Sequence, residues 1–572
     1  MMDFFHTHNE EVKRRIPGWV LAVGISLLVS LAVVLPFFWM GSASGHDFEF
    51  HVASWLDVSY QWHEGNFYPR WTAWTNHGFG EPRFIFYPPL SWMLGAALTR
   101  VAPLAWVPAC YVVLVQTLSG LFAYFLLRRL TSERGALLGA ACYVANPNAL
   151  LITYVRSDFA EQLACAIFPL LLLGGLRLAG LVKETKASGS TILAFALPFA
   201  AVWLCNAPAG VIASYSMALL IFWGTIAERN WKIALKGAAG ITLGFGLIGF
   251  YLVPAAFEQK WVNISQALAS GLLPTQNFLF TSIDDVEHTW FNFIASWSAV
   301  ILMLLVAISA LVSRRFALNK QVQSSQRMWG GLLIVATGAS LLMFRFTNVL
   351  WMYLPKLRFV QFPWRWMSIL SLIFACFVAA VAEKRHGWLA PLFFFVLLVP
   401  LAMTLIDNSW WDPDEMPTQQ AAITSGTGYD GTDEYDPVGD DHLDLPLNAP
   451  LAKVLSDTSP PIPAQHADVK ILGWNGGYKE VQVSCREAAH VALRVLNYPA
   501  WSVRVNGEKV VPERLDDINQ MVVPVAAGDS LIEVRFTRTP DRTAGDLLTA
   551  LSLAIVAILI VLKDGEYPEQ LS

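Results

Sequence analysis

The chain has 572 residues, of which 55% are hydrophobic and only 15% charged, with a formal net charge of −5. Soluble domains carry about 25% charged residues, so a soluble globular protein is excluded. Apolar runs of roughly 17–22 residues recur, each long enough to cross a hydrocarbon core of about 30 Å. The chain reads as a polytopic membrane protein. Net charge says little about partners, because charge here is sorted by side of the membrane, and no nucleic-acid partner is expected.

Lys13, Arg14 and Arg15 precede the first apolar run, Gly18 to Met40. That run is too long for a signal-peptide core of about 7–15 residues, and no small-residue cleavage site clearly follows it. It reads as a retained span with its N-terminal side in the cytoplasm. The loop 41–105 is then outside. Within it, Phe48 to Trp62 has the spacing of an amphipathic helix, and Pro88 to Leu98 is apolar but too short to cross. Making 84–104 a span would leave Arg128, Arg129 and Arg134 outside, against the charge rule.

Span two, about 107–127, ends inside at Arg128 and Arg129. Span three, about 135–151, emerges at Asn146-Pro147-Asn148. Span four, about 162–181, returns to Lys183 and Lys186. Span five reaches Asn206-Ala207-Pro208, and span six returns to Arg229, Lys232 and Lys236. Span seven, about 237–257, leads to an outside loop holding Glu258, Asp284, Asp285, Glu287 and His288. Span eight returns to Arg314, Arg315, Lys320 and Arg327. Span nine reaches the outside stretch Arg345 to Arg365, and span ten returns to Lys384 and Arg385. Span eleven, about 387–406, emerges at Asp407, and the last span, about 545–562, ends at Lys563. Twelve spans with both termini cytoplasmic satisfy the positive-inside rule at every cytoplasmic turn. Basic residues also fall outside, at Arg70, Arg83, Arg100, Arg156, Lys356, Arg358 and Arg365, where the active face is expected.

Between the last two spans lies a soluble stretch, 407–543. Its first half is rich in Asp, Gly, Pro and Thr and reads as loop. Its second half alternates with period two, as in Val491-Ala492-Leu493-Arg494-Val495 and Trp501-Ser502-Val503-Arg504-Val505 followed by Asn506-Gly507. Such strands with an Asn-Gly turn predict a small β-sandwich, outside by parity. The expected domains are 1–406, 407–543 and 544–572. Five of the six cysteines lie in or at the ends of apolar runs, only Cys485 in the soluble stretch, and there is no CxxC. Neither a structural zinc site nor a disulfide framework is expected.

Three clusters could carry chemistry. Asp47, flanked by His46, Glu49 and His51, lies a few residues past the first span, and the two histidines are expected to touch substrate. Its carboxylate could deprotonate an acceptor or hold a divalent cation, magnesium or manganese; the plainer reading is a helix N-cap. Zinc on His46, Asp47 and His51 is disfavoured, since i, i+5 spacing keeps the imidazoles off one helical face. Arg156, Asp158 and Glu161 sit between spans three and four. A helix would point the two acids to one spot, with Arg156 meeting a phosphate or simply pairing with Glu161. The third cluster, Arg358, Gln361, Trp364 and Arg365, enters span ten. It reads as an anionic headgroup clamp or as ordinary interfacial anchors.

The loop acid after span one, the helix at Pro88-Pro89-Leu90 and the span ending in Arg128-Arg129 resemble the GT-C class of polytopic glycosyltransferases. More closely, His46-Asp47, Tyr87-Pro88-Pro89-Leu90, Arg156 to Glu161, and Gln361-Phe362-Pro363-Trp364-Arg365 resemble bacterial membrane proteins labelled pyruvoyl-tetrahydropterin-synthase-related. Tyr498-Pro499-Ala500-Trp501 with Asn506-Gly507 is similar to the β-domain of the YfhO-type relatives, which have Gly at the Ala500 position. No histidine zinc site for pterin chemistry is present. The resemblance implies a mostly α, GT-C-like helix bundle with an extracytoplasmic β-sandwich before the last span. It implies a cell-membrane glycosyltransferase taking a polyprenyl-phosphate-linked sugar at the outer face. Asp47 would be base or metal ligand, with Glu49 or Asp57 as a second acid. Asp158 and Glu161 would orient the acceptor, and Arg156, Arg358 and Arg365 would hold the phosphate. A flippase for lipid-linked glycans would place charges within its spans. A non-catalytic scaffold presenting the β-domain is the other alternative.

Overall fold

A computed structural model describes residues 16–182, 188–316, 323–384, 386–439, 445–459, 461–464, 466–515 and 518–564. Lys13, Arg14, Arg15, Lys183, Lys186, Lys320 and Arg385 lie outside the described residues, as do the side chains of Arg314, Arg315 and Lys563. The described chain is mostly helical, with two five-stranded β-sheets before the last helix.

Among the described residues, nine helices are long and apolar enough to cross a membrane, from Gly18–Met40 to Pro540–Val561. The number rises to eleven if two bent pairs each count as one span. These pairs, Lys232–Leu247 with Gly249–Trp261 and Gln326–Leu342 with Arg345–Tyr353, bend by 76° and 93° and coincide with the expected spans seven and nine. The expected span five is the shorter apolar helix Ser190–Cys205. At the first bend Gly249 meets Gly545 of the last helix backbone to backbone, and a Cβ on either would overlap the other's backbone. Small residues allow such close helix approach in lipid. The helix Met367–Ala382 is buried on nearly every side and forms the bundle's centre.

The loop after the first span holds the helix Phe48–His63, as its spacing predicts, and the ten-residue helix Pro89–Leu98. Neither lies open on a surface. Eleven side chains of Phe48–His63 are buried, including Trp55 and Asp57. Trp55 stacks on Tyr111 at 5.1 Å, and Gly95 of the shorter helix packs on its indole.

The β-domain is a pair of five-stranded antiparallel sheets. The first runs Glu513–Arg514, Gln520–Val525, Ala489–Leu496, Ala452–Thr458 and Pro461–Pro463 in spatial order. The second runs Asp468–Asn475, Tyr478–Cys485, Gly528–Phe536, Trp501–Val505 and Glu508–Val510. Alternate residues such as Val481, Val483, Val491, Leu493, Ile532 and Val534 face the common core, the arrangement of a sandwich. Asn506-Gly507 joins Trp501–Val505 to Glu508–Val510 with Val505 opposite Glu508. The same core takes in Trp71, Phe79, Ile85 and Phe86 of the first loop, so the β-domain sits on that loop. The stretch expected to be loop before it holds the helix Glu415–Ser425, which packs against Phe48–His63. All six cysteines are free.

Candidate functional site

The site begins with a backbone juxtaposition. Ser42–Ala43 pairs with Trp411–Asp412, and the Ser44 amide donates to the Trp410 carbonyl at 2.9 Å. This pins the start of the first loop to the segment after the Leu389–Asp407 span. Gly45 then lies against the turn after Ile152–Arg156, a π-helical stretch of the kind that often marks functional positions. A Cβ on Gly45 would overlap the Val155 carbonyl. The Gly45 amide donates to Ser157 Oγ at 2.9 Å, and the Asp47 amide to the Arg156 carbonyl at 2.9 Å. Ser157 is left-handed, at φ 53°, and donates its hydroxyl to the Ala43 carbonyl at 2.8 Å.

These contacts bring Asp47 to Arg156. Asp47 stands at the N-cap position of Phe48–His63 but makes no side-chain cap bond; its carboxylate accepts from Arg156 Nη2 instead. Arg156 Nη2 also lies 3.2 Å from Asp158 Oδ2, and Nη1 donates to Glu161 Oε2 at 2.9 Å. Arg365 enters from the start of the bundle's central helix. Its Nη2 is 3.3 Å from Asp158 Oδ2 and its Nε 3.1 Å from Glu161 Oε2. Asp158 caps the helix Phe159–Leu178 by accepting from the Glu161 amide at 2.8 Å. His51 Nε2 stands 3.6 Å from the other Asp158 oxygen. Three carboxylates and two guanidiniums thus form one network, with an imidazole at its edge.

Burial grades the network. The side chains of Arg156, Asp158, Glu161 and Arg365 are at most 6% exposed, whereas that of Asp47 is 36% exposed. Burial would raise the Asp158 carboxyl, but the His51 ring and the Arg156 and Arg365 guanidiniums outweigh it and hold it below the usual carboxylate range. Phe362 and Trp364 stack on each other at 5.0 Å. Arg156 lies over both rings, at 5.4 and 5.2 Å, and Arg365 over Phe362 at 5.0 Å. The exposed His46 lies between Phe291 and Trp410 beside Asp47, its Nδ1 3.2 Å from the Val155 carbonyl.

The expected residues divide accordingly. Asp47, Arg156, Asp158, Glu161 and Arg365 meet. The pairing of Arg156 with Glu161 weighed in the sequence is present, within a larger network. His51 was expected to touch substrate but is buried behind Asp158. Glu49 is exposed and accepts from Gln419 Nε2 at 2.9 Å. Gln361 donates to the Ala267 carbonyl at 2.7 Å and accepts from Arg365 at 3.3 Å. Trp364 is buried. Arg358 does not join Arg365: it is exposed, with its guanidinium 5.3 Å from the Phe359 ring, because Leu357–Val360 turns it away from the bundle. Asp57 is buried among Gln61 Nε2, the Ala73 and Trp74 amides and the Tyr429 hydroxyl. Burial lifts its carboxyl to about 6. It braces the loop and is not a second acid beside Asp47.

Other basic residues of the outside loop serve elsewhere. Arg83 pairs with Glu81 at 2.6 Å and donates to Ser54 and Thr432. Arg100 meets His63 at 2.5 Å. Sequence reasoning also missed the buried Glu258, which accepts from Tyr498 Oη at 2.7 Å and from Arg542 at 2.8 and 2.9 Å. This network ties the β-domain to the last helix. The signal for it was an acid at the end of a span, with no local partner to show its role.

Among the described residues, no group of three or more His, Cys, Asp or Glu is placed to hold a metal ion. The donor set does not fit a divalent cation as arranged: Asp158 and Glu161 face guanidiniums, His46 and His51 point to separate surroundings, and Asp47 alone presents a free edge.

The helices, their apolar faces and the β-sandwich define a multi-pass membrane protein. A family model described as 6-pyruvoyl-tetrahydropterin synthase related domain, membrane protein, matches residues 84–411, more than half of the chain, and the chain belongs to that family. Asp47 lies ahead of the matched segment. No curated protein matches the sequence. Among solved structures the chain is similar to the apo oligosaccharyltransferase of Archaeoglobus fulgidus, with 15% identity and a TM-score of 0.40 over 71% of this chain and 56% of that one. It is similar to the arabinofuranosyltransferase AftD from Mycobacteria, with 14% identity and a TM-score of 0.41 over 68% and 26%. It is also similar to ArnT from Cupriavidus metallidurans bound to undecaprenyl phosphate, with 12% identity and a TM-score of 0.32 over 80% and 96%. The chain thus spans little more than half of the first of these proteins and about a quarter of the second.

Proposed function

We propose that the protein is a membrane glycosyltransferase of GT-C type that takes a polyprenyl-phosphate-linked sugar at the outer face of the cytoplasmic membrane. The observation that carries this reading is Asp47: it is the one carboxylate of a buried charge network that keeps an exposed edge. In the reaction, the Asp47 carboxylate accepts the proton of an acceptor hydroxyl. The hydroxyl oxygen forms the new bond to the anomeric carbon, the bond from that carbon to the phosphate oxygen breaks, and polyprenyl phosphate leaves with the electron pair. Arg156 fixes the Asp47 carboxylate, and Asp158, Glu161 and Arg365 fix Arg156, so the base is held before substrate arrives. Arg358, exposed and outside the buried network, is proposed to meet the departing phosphate. Both termini are then cytoplasmic and the β-domain lies outside. The domains run 1–406, 407–543 and 544–572.

The reading rests on this geometry and on the sequence resemblance, not on the distant structural likenesses. Its test is mass spectrometry of cell-surface glycans from cells with the wild-type protein, without it, and with Asp47→Asn. A glycan present with wild type and absent in the other two supports transfer at Asp47. The same glycans in all three, with the variant expressed normally, overturn it.

A further inference from the structure

A cavity of about 740 Å³ opens beside the last helix, where the chain leaves the β-domain. It is separate from the Asp47 network. The helix Phe48–His63 runs from Asp47 at its N-cap to Glu64 at its C-cap, and Glu64 lines the cavity. Its sixteen residues, at about 1.5 Å each, put the two ends roughly 24 Å apart. One wall is the last span itself, through Thr549, Ala550 and Leu553. Only 11% of that span's apolar window is buried, and Leu553 is 54% exposed, so this wall continues onto a surface that faces lipid. The other wall is Tyr68, Arg70 and Phe250.

The polar groups on that second wall are incomplete. Arg70 donates one Nη2 bond to the Phe250 carbonyl at 3.2 Å and lies over the Tyr68 ring at 4.4 Å. Its Nη1 and the Tyr68 hydroxyl are both buried and without a hydrogen-bond partner among the described residues. The other arginines of the cavity are satisfied: Arg538 pairs with Asp546, and Arg542 with Glu258. Arg70 has no carboxylate at ion-pair distance among the described residues. Buried donors are ordinarily satisfied, and an orphan pair calls for an acceptor. A guanidinium beside a phenol, at the head of an apolar wall open to the bilayer, has the chemistry to take an oxyanion carried on a hydrocarbon tail.

We propose that this cavity binds the phosphate of a membrane lipid. Arg70 Nη1 and the Tyr68 hydroxyl donate to the phosphate oxygens, and the tail runs past Phe250, Ala550 and Leu553 into the bilayer. The ligand class is a lipid phosphate, either a polyprenyl phosphate or a glycerophospholipid. The site stands apart from the Asp47 reading and does not need it.

The test is native mass spectrometry of the full-length protein in detergent, titrated separately with undecaprenyl phosphate, phosphatidylglycerol and diacylglycerol, the last lacking phosphate. Both phosphates are expected to bind and diacylglycerol to bind at least ten-fold more weakly, the scale of one charge-assisted contact. Binding by only one of the two phosphates supports the site and names its source. Arg70→Gln and Tyr68→Phe are each expected to weaken phosphate binding, and Leu553→Trp to block it by narrowing the mouth. Tyr68→Phe removes only a hydroxyl and keeps the test sound if Arg70→Gln does not fold. Asp47→Asn is expected to bind these lipids as wild type does, so failure here and failure of the Asp47 reading are distinguishable. Diacylglycerol binding as tightly as the phosphates, or undiminished binding in both the Arg70 and Tyr68 variants, overturns the proposal.

Discussion

Asp47 and Arg156 are joined twice: the Asp47 amide donates to the Arg156 carbonyl, and the Arg156 guanidinium donates to the Asp47 carboxylate. The backbone bond sets where Asp47 stands, and the side-chain bond sets how its carboxylate is turned. Since Asp47 is part-exposed while Asp158 and Glu161 still hold Arg156, Asp47→Asn leaves no buried cation unpaired. Its stability cost is expected to stay near 1 kcal/mol, in the range of a single net hydrogen bond. Glycan transfer, on the proposed reading, is expected to disappear. Thermal unfolding in detergent beside a glycan assay checks both halves.

Arg156→Met is expected to behave in the opposite way. It strips one of two guanidiniums from three carboxylates, two of them almost fully buried. Breaking a buried ion pair from one side costs about 3–5 kcal/mol, so this variant is expected to unfold earlier or fail to accumulate. A melting temperature equal to that of wild type would mean that the network does not hold the loop to the bundle.

Glu258 makes the equivalent join for the β-domain. It is fully buried and takes a bidentate pair from Arg542 as well as the Tyr498 hydroxyl. Glu258→Ala leaves Arg542 uncompensated, again at about 3–5 kcal/mol. The loss is expected to be local first. Limited proteolysis between Phe536 and Pro540, at the exit from the last strand, is expected to accelerate before the helical signal changes.

The bundle was legible because lipid admits few solutions: a crossing needs an unbroken apolar run, and charges collect at its ends. The sandwich was legible through its period-two strands and the Asn506-Gly507 turn. Asp47 and Arg156 could be singled out because each stands at a span end on the side expected to be outside. Nothing in the spacing showed that Asp47 would pass over its cap role for Arg156, 109 positions on. The approach of Arg365 to Asp158, 207 positions apart, was equally hidden. The helix Glu415–Ser425 escaped notice because Met416 and Ile423 are its only large aliphatic side chains and it contains Pro417, so no continuous apolar stripe marks it. The bend at Ile248 lies between Gly246 and Gly249, and the contact of Gly249 with Gly545 of the last helix is one that spacing along the chain does not show.

Lys479 supplies a prediction that turns on pH. Its ammonium is buried in the β-domain, bonded to the Asn475 carbonyl and 5.1 Å from the Trp474 ring. Burial pushes it down to about 7, against the opposing pull of Glu64 and Asp57. The folded protein therefore holds fewer protons than the unfolded chain between about pH 7 and the usual lysine value near 10.5. With fewer protons bound in the native state, stability rises with decreasing proton activity. The burden of the charged lysine is full below pH 7 and is relieved progressively up to about pH 10. Lys479→Met replaces the buried charge with an apolar chain of similar length, and such exchanges are often stabilising by about 1–4 kcal/mol. The variant is expected to melt higher than wild type at pH 6.5 and to converge with it by pH 10. Melting curves of the full-length protein at half-unit pH steps check this, and a gap between variant and wild type that stays constant across that range would rule it out.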